Sequence, residues 1–195
     1  MGYYTKSVPW AQKRADDRRQ AAVSAAQDVG VVTHTTVLIG GITDIVLRAN
    51  HAGTDQADIH ATIGPFFLVF RNAAAVHGFI SAFATVRANM MGLDGHAPPQ
   101  RTAGSDFGSL TLAVAYYDAP DYAVIRGSRF NDRQRRTVHW VDLIMGPVTW
   151  RITDHTGYES MMDQFATLHR VSVGVFTDGG RFRKDPTKIL DAFDD

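Results

Sequence analysis

The stretch SLTLAVAYYDAPDYAVIRGSRFNDRQRRTVHWVDLIMGPVTWRITD, residues 109–154, decides the fold of this chain. Its first run sets Leu110, Leu112, Val114 and Tyr116 on one parity and Thr111, Ala113 and Ala115 on the other, the alternation of a strand with one buried face. Ala119-Pro120-Asp121 makes a turn, because proline fixes its own φ and aspartate bonds the local backbone. A second run, Tyr122 to Phe130, opens with β-branched and aromatic residues and passes through Arg126-Gly127-Ser128-Arg129 into a loop, Asn131 to Arg136. Val138, Trp140 and Ile144 lead the third run, and Gly146-Pro147 closes it. The fourth alternates Val148, Trp150 and Ile152 against Thr149, Arg151 and Thr153. Connections this short predict an antiparallel meander of three or four strands, since a parallel pair needs a crossover of roughly a dozen residues or more.

Around that stretch, 195 residues are enough for one domain that buries roughly two-thirds of its unfolded surface without covalent staples. The absence of cysteine excludes a disulfide framework, thiolate zinc sites, iron–sulfur clusters and a cysteine nucleophile. Twenty basic residues balance twenty acidic ones, so attraction to a polyanion has to come from local clustering. Sixteen of the basic residues are arginine and Glu159 is the sole glutamate, a bias that GC-rich coding produces. Met1 to Trp10 has no apolar signal-peptide core, and the most hydrophobic window, Ile63 to Val86, is interrupted by Arg71, Asn72 and His77. No membrane span is expected, and the expected location is the cytoplasm or a virion.

In chain order, residues 1–30 read as an N-terminal helical arm and residues 31–195 as a single α+β domain. The arm starts at Ser7-Val8-Pro9, and its helix runs from Trp10 to Asp28 with a thin apolar stripe, suited to small-residue packing or to docking on a neighbouring subunit. Gly40-Gly41, between two β-branched runs, fits a two-residue hairpin. Ile59 to Phe70 is either a buried strand or the lead-in to a helix. Asn72 caps a helix from Ala73 to Met91, with Val76, Phe79, Ile80, Phe83, Val86 and Met90 inward and Gly92 as its stop. Leu93 to Phe107 reads as a connector. Thr156 and Glu159 have capping-box spacing ahead of a short helix carrying Met161, Phe165 and Leu168. Val171, Val173 and Val175 alternate as a last strand, and Ile189, Leu190 and Phe193 suit a final turn of helix.

Assembled, this is an α+β fold: an antiparallel meander sheet packed by one long helix. The element order resembles the profilin-like arrangement shared by longin, roadblock, PAS and GAF domains, with a START-like helix-grip sheet as the alternative. The resemblance is one of topology alone, and topology does not fix function.

Chemistry is sparse. Arg126, Arg129, Arg133, Arg135 and Arg136 crowd the central loop, and Arg181, Arg183, Lys184 and Lys188 follow in the tail. On one shared face these cations would make a phosphate-binding footprint with Phe130, Trp140 or Phe182 as stacking surfaces; on separate faces they are solvated or intersubunit charges. His51, Asp55, Asp58 and His60 are ligand types without zinc spacing, so no metal and no cofactor is expected. Asp154-His155 with Glu159 is a candidate acid–base cluster, but no nucleophile elbow, P-loop or paired-carboxylate signature accompanies it. The expectation is therefore a non-enzymatic structural subunit of a homo-oligomer, a phage or virion component being one such setting. A nucleic-acid-binding protein using the same cations is the alternative, followed by a small hydrolase-like enzyme centred on His155.

Overall fold

The computed structural model describes residues 33–96, 111–132 and 134–188. The N-terminal arm, most of the connector after His96, Arg133 and the final turn at 189–193 lie outside the described residues. The chain divides into two units, Met1–His34 and Thr35–Asp195, and every element below belongs to the second.

Among the described residues its strands and α-helices are β1 (Thr35–Ile39), β2 (Val46–Asn50), β3 (Asp58–Ile63), β4 (Phe66–Phe70), α1 (Ala73–Val86), β5 (Leu112–Tyr116), β6 (Ala123–Asn131), β7 (Arg136–Met145), β8 (Val148–Ile152) and α2 (His155–Val175). The fold is mixed α+β, with two open, mostly antiparallel sheets ordered β1-β8-β7-β6 and β2-β3-β4-β5. Among the described residues no helix is long and apolar enough to cross a membrane.

The meander forms over β6, β7 and β8, with Met145 opposite Val148 across Gly146-Pro147. The first run does not join it. β5 instead pairs parallel with β4, and α1 supplies the crossover that a parallel pair requires. Ala119-Pro120 is thus no hairpin turn: a Cβ on Gly78 of α1 would lie 2.4 Å from Ala119 Cβ, so the chain passes tightly over the helix on its way between the sheets.

Gly40-Gly41 is also no hairpin. β1 runs parallel to β8 and β2 antiparallel to β3, so the two strands flanking the glycines part into different sheets. Gly41 has φ +68, and its N–H donates to both oxygens of Asp154, at 3.1 and 3.0 Å. Ile59 to Phe70 resolves as a β3–β4 hairpin turning at Gly64-Pro65, with Ile59, Ala61, Ile63, Phe66, Leu68 and Phe70 inward.

Asn72 caps α1, accepting from Ala75 N at 2.7 Å, and the Asp178 carboxylate accepts from Ala73 N and Ala74 N, an anion on the helix N-terminus. The helix ends at Val86, tightens into a 3-10 turn over Arg87–Asn89, and reaches Gly92 at φ +85. α1 is buried almost all round, and Phe79 is its hub. The Phe79 ring meets Phe70, Phe83, Tyr116, Trp150 and Phe165 at centroid distances of 5.0 to 5.7 Å. The two sheets meet where Phe66 sits edge-on to Trp150.

α2 runs through the expected last strand, because Met161, Phe165, Leu168, Ser172 and Val175 follow helical spacing and are buried along one side. Its cap is Asp154, one position before the helix, and not Thr156 of the expected capping box. Asp154 Oδ1 accepts from Gly157 N at 2.7 Å, while Thr156 bonds the Gly95 carbonyl.

Beyond α2 the chain folds back over the helix pair. The carbonyl of Phe182 lies 2.7 Å from Nε2 of the buried His169, which fixes that nitrogen as the donor. The Phe182 ring packs on His77 of α1. Burial, reinforced by His169, lowers His77 from its ordinary 6.5, with Asp185 pulling the other way. Burial works against ionisation of Asp185, yet the Thr187 hydroxyl and N–H, with His169 and Lys188, hold it below its usual range. For His77 the unfolded chain takes up a proton first, so its stabilising share is present above about 6.5 and is lost as pH falls through the folded value. The melting temperature is expected to drop between pH of roughly 7.5 and 5.5, and to drop less in His77→Gln. Equal drops in both proteins would contradict this assignment.

Candidate interaction surface

β7 and β8 bury Val141, Leu143, Met145, Val148, Trp150 and Ile152, so strand alternation turns Trp140, Asp142, Ile144, Thr149 and Arg151 to the outer face of their sheet. Register sets Leu38 of β1, Arg151, Asp142 and Ile125 of β6 in one row across the four strands. At its centre Arg151 forms a two-pronged ion pair with Asp142, at 2.7 and 2.8 Å. Trp140 Nε1 donates to the same carboxylate at 3.1 Å, and the guanidinium lies 4.8 Å from the Trp140 ring centroid. The Asp142 hydrogen bond raises Arg151 further above its ordinary pKa. The indole rests on Gly127, directly opposite on β6, where a Cβ would come within 2.3 Å of the ring.

The β6 side of this sheet carries much of the exposed apolar surface. Tyr122, Ile125 and Phe130 are 45%, 53% and 56% exposed, and Met91, whose carbonyl accepts from Arg126, is 78% exposed.

The cations singled out in the sequence fall into two groups. Arg126 donates to Met91 O at 2.6 Å, and Arg136 grips Asp94 with both Nη atoms at 2.6 and 2.8 Å. These two clamp the loop that follows α1 onto the β6–β7 hairpin. Arg129 is exposed beside Val138, and Arg135 is exposed in the turn at φ +50. Arg181 closes a short 3-10 turn, and Arg183 and Lys184 are exposed just after it. Asp94 O accepts from His155 N at the start of α2, whereas Phe182 meets His169. α2 rises about 21 Å between those two residues, which keeps the anchor points of the two groups well apart.

The histidine candidates serve other purposes. Asp58 ties strand ends together: it accepts from Asn50 Nδ2 at 2.6 Å and Arg71 Nη1 at 3.2 Å, with His60 Nε2 at 3.3 Å. Among the described residues no group of three or more histidines and carboxylates is placed to hold a metal ion. His155 lines a groove of about 570 Å³ with Arg87, Tyr158, Glu159 and Lys188, in which burial pushes the Tyr158 phenol up to about 12. Asp154, its expected partner, is fully buried with its carboxylate on the N–H groups of Gly41 and Gly157.

The Trp140–Asp142–Arg151 knot was missed in the sequence, although a signal existed. A tight turn at Gly146-Pro147 fixes the register of the strands it joins, and that register sets Asp142 against Arg151. No family model, no curated protein and no solved structure matches this chain, so the reading of this surface rests on its own geometry.

Proposed function

We propose that this chain is a non-enzymatic subunit that self-associates into a homo-oligomer through the β6 side of its β1-β8-β7-β6 sheet. The observation that carries the reading is the gathering of half-exposed Tyr122, Ile125 and Phe130 on and beside one strand, with the exposed Met91 held to that strand through its carbonyl by Arg126. Fully burying one such side chain is worth about 1.5–3 kcal/mol, so several together can offset the entropy of association. The charges behind them support the same reading. Arg151 with Asp142 and Arg136 with Asp94 are already paired inside the chain, so covering this region strands neither pair without a partner. Zero net charge removes long-range repulsion between copies.

Ile125→Asp combined with Phe130→Asp is expected to convert the oligomer to monomer. The melting temperature of the monomer itself should stay nearly unchanged, since exposed substitutions of this kind shift stability by about 0.5 kcal/mol or less. An oligomer of unchanged mass in the double variant would contradict the proposal.

A further inference from the structure

We infer that the association is edge to edge: β6 pairs antiparallel with β6 of a second copy about a twofold axis through Gly127. This deepens the proposed self-association and rests on it.

Among the described residues β6 ends its sheet, hydrogen-bonded to β7 on one side only. With nine residues it is the longest of the four terminal strands of the described sheets, β1, β2 and β5 having five each. An open edge presents a row of unpaired N–H and C=O groups, which proteins ordinarily block with proline, lysine, a bulge or a covering segment. Ala123–Asn131 contains no proline or lysine. Of its two arginines, Arg126 is turned back onto the Met91 carbonyl.

The register follows from strand geometry. In an antiparallel pair, opposed residues point to the same face, so the twofold axis passes through a residue position. Centres at Arg126 or Arg129 would set identical cations face to face, which is unfavourable. A centre at Gly127, the midpoint of β6, uses the whole strand and opposes Ile125 to Arg129, Arg126 to Ser128 and Val124 to Phe130. Each arginine then meets an uncharged partner. Ile125 of the second copy lies along the Arg129 stem, at the mouth of a hollow of about 490 Å³ formed by Arg129, Phe130, Val138 and Trp140. At the axis itself Gly127 has no side chain, and the two Trp140 rings, each resting on its own Gly127, are brought next to one another. The product is one continuous sheet across both copies.

Because the chain has no cysteine, disulfide trapping is clean. Ile125→Cys/Arg129→Cys in the full chain, under mild oxidation, is expected to give a covalent dimer, at a yield about tenfold or more above either single variant. The opposed Cα atoms fall within disulfide reach only in this register, whereas within one chain the two positions are about 13 Å apart. Ala123→Cys/Arg129→Cys, one step out of register, should stay uncrosslinked. An oligomer of normal mass in which the first pair fails to crosslink, or the second crosslinks equally well, overturns the edge register and leaves the self-association reading standing. A monomeric parent protein overturns both.

Discussion

Asp154→Ala is expected to destabilise the fold by about 2–5 kcal/mol, a large part of the 5–15 typical of a domain. The carboxylate is fully buried and serves two segments far apart in sequence: it caps α2 through Gly157 N and holds the β1–β2 loop through Gly41 N. Loss of the helix cap at Gly157 N costs about 1–2 kcal/mol, and leaving the part-buried Gly41 N–H without its acceptor adds about 1–3. Alanine would also loosen a tight crossing, because a Cβ on Gly157 would come within 2.8 Å of Gly40 Cα. Urea unfolding measures the loss directly. Asp154→Asn keeps an acceptor for one N–H and should recover about half of it. A change under 1 kcal/mol in the alanine variant would show that the junction is not a stability centre.

Phe79→Ala should cost a similar amount, about 3–5 kcal/mol, for a different reason. Five aromatic rings from β4, β5, β8, α1 and α2 converge on this side chain, so no single neighbour can move to refill the space. Edge-to-face contacts with Trp150 and Phe165 are lost in addition to the buried area. Phe79→Leu keeps most of the volume and should cost less than half as much. Thermal or urea unfolding checks the pair, and equal small losses in both would mean that the core collapses around the site.

What was legible in the sequence was whatever short-range chemistry decides. Tyr122 to Ile152 reads as three paired strands because the connections at 132–135 and Gly146-Pro147 are too short for anything else. Asn72 announces α1 because a cap acts within one turn. The failures share a cause, a partner remote in sequence. Gly41 needs its positive φ for Asp154, 113 positions away, and the local pattern around it imitates a hairpin. The run ending at Tyr116 alternates as any half-buried strand does, and only the pass of Ala119 over Gly78 shows that it belongs to the other sheet. Val171, Val173 and Val175 alternate, but Val171 and Val175 are also one helical turn apart, and burial on α2 decides for the helix.

The candidate surface was half legible. Arg126 and Arg136 were visible as part of a cationic loop, yet their partners Met91 and Asp94 lie 35 and 42 positions upstream, so what looked like a footprint for an anion includes a clamp on the protein's own chain. Trp140 was visible only as a strand residue. Its place on Gly127, beside the Asp142–Arg151 pair, depends on registers that a turn length specifies and a composition does not.

Self-association is the claim on which the functional account turns, and light scattering of the purified chain tests it most directly, across a concentration series in moderate salt and with and without nuclease. The expected result is a nucleic-acid-free species of at least twice the chain mass that dissociates on dilution and is indifferent to nuclease. A monomer at every concentration, or a particle that carries nucleic acid until nuclease removes it, would contradict that account, and the second result would turn Arg129 and Arg135 into phosphate contacts.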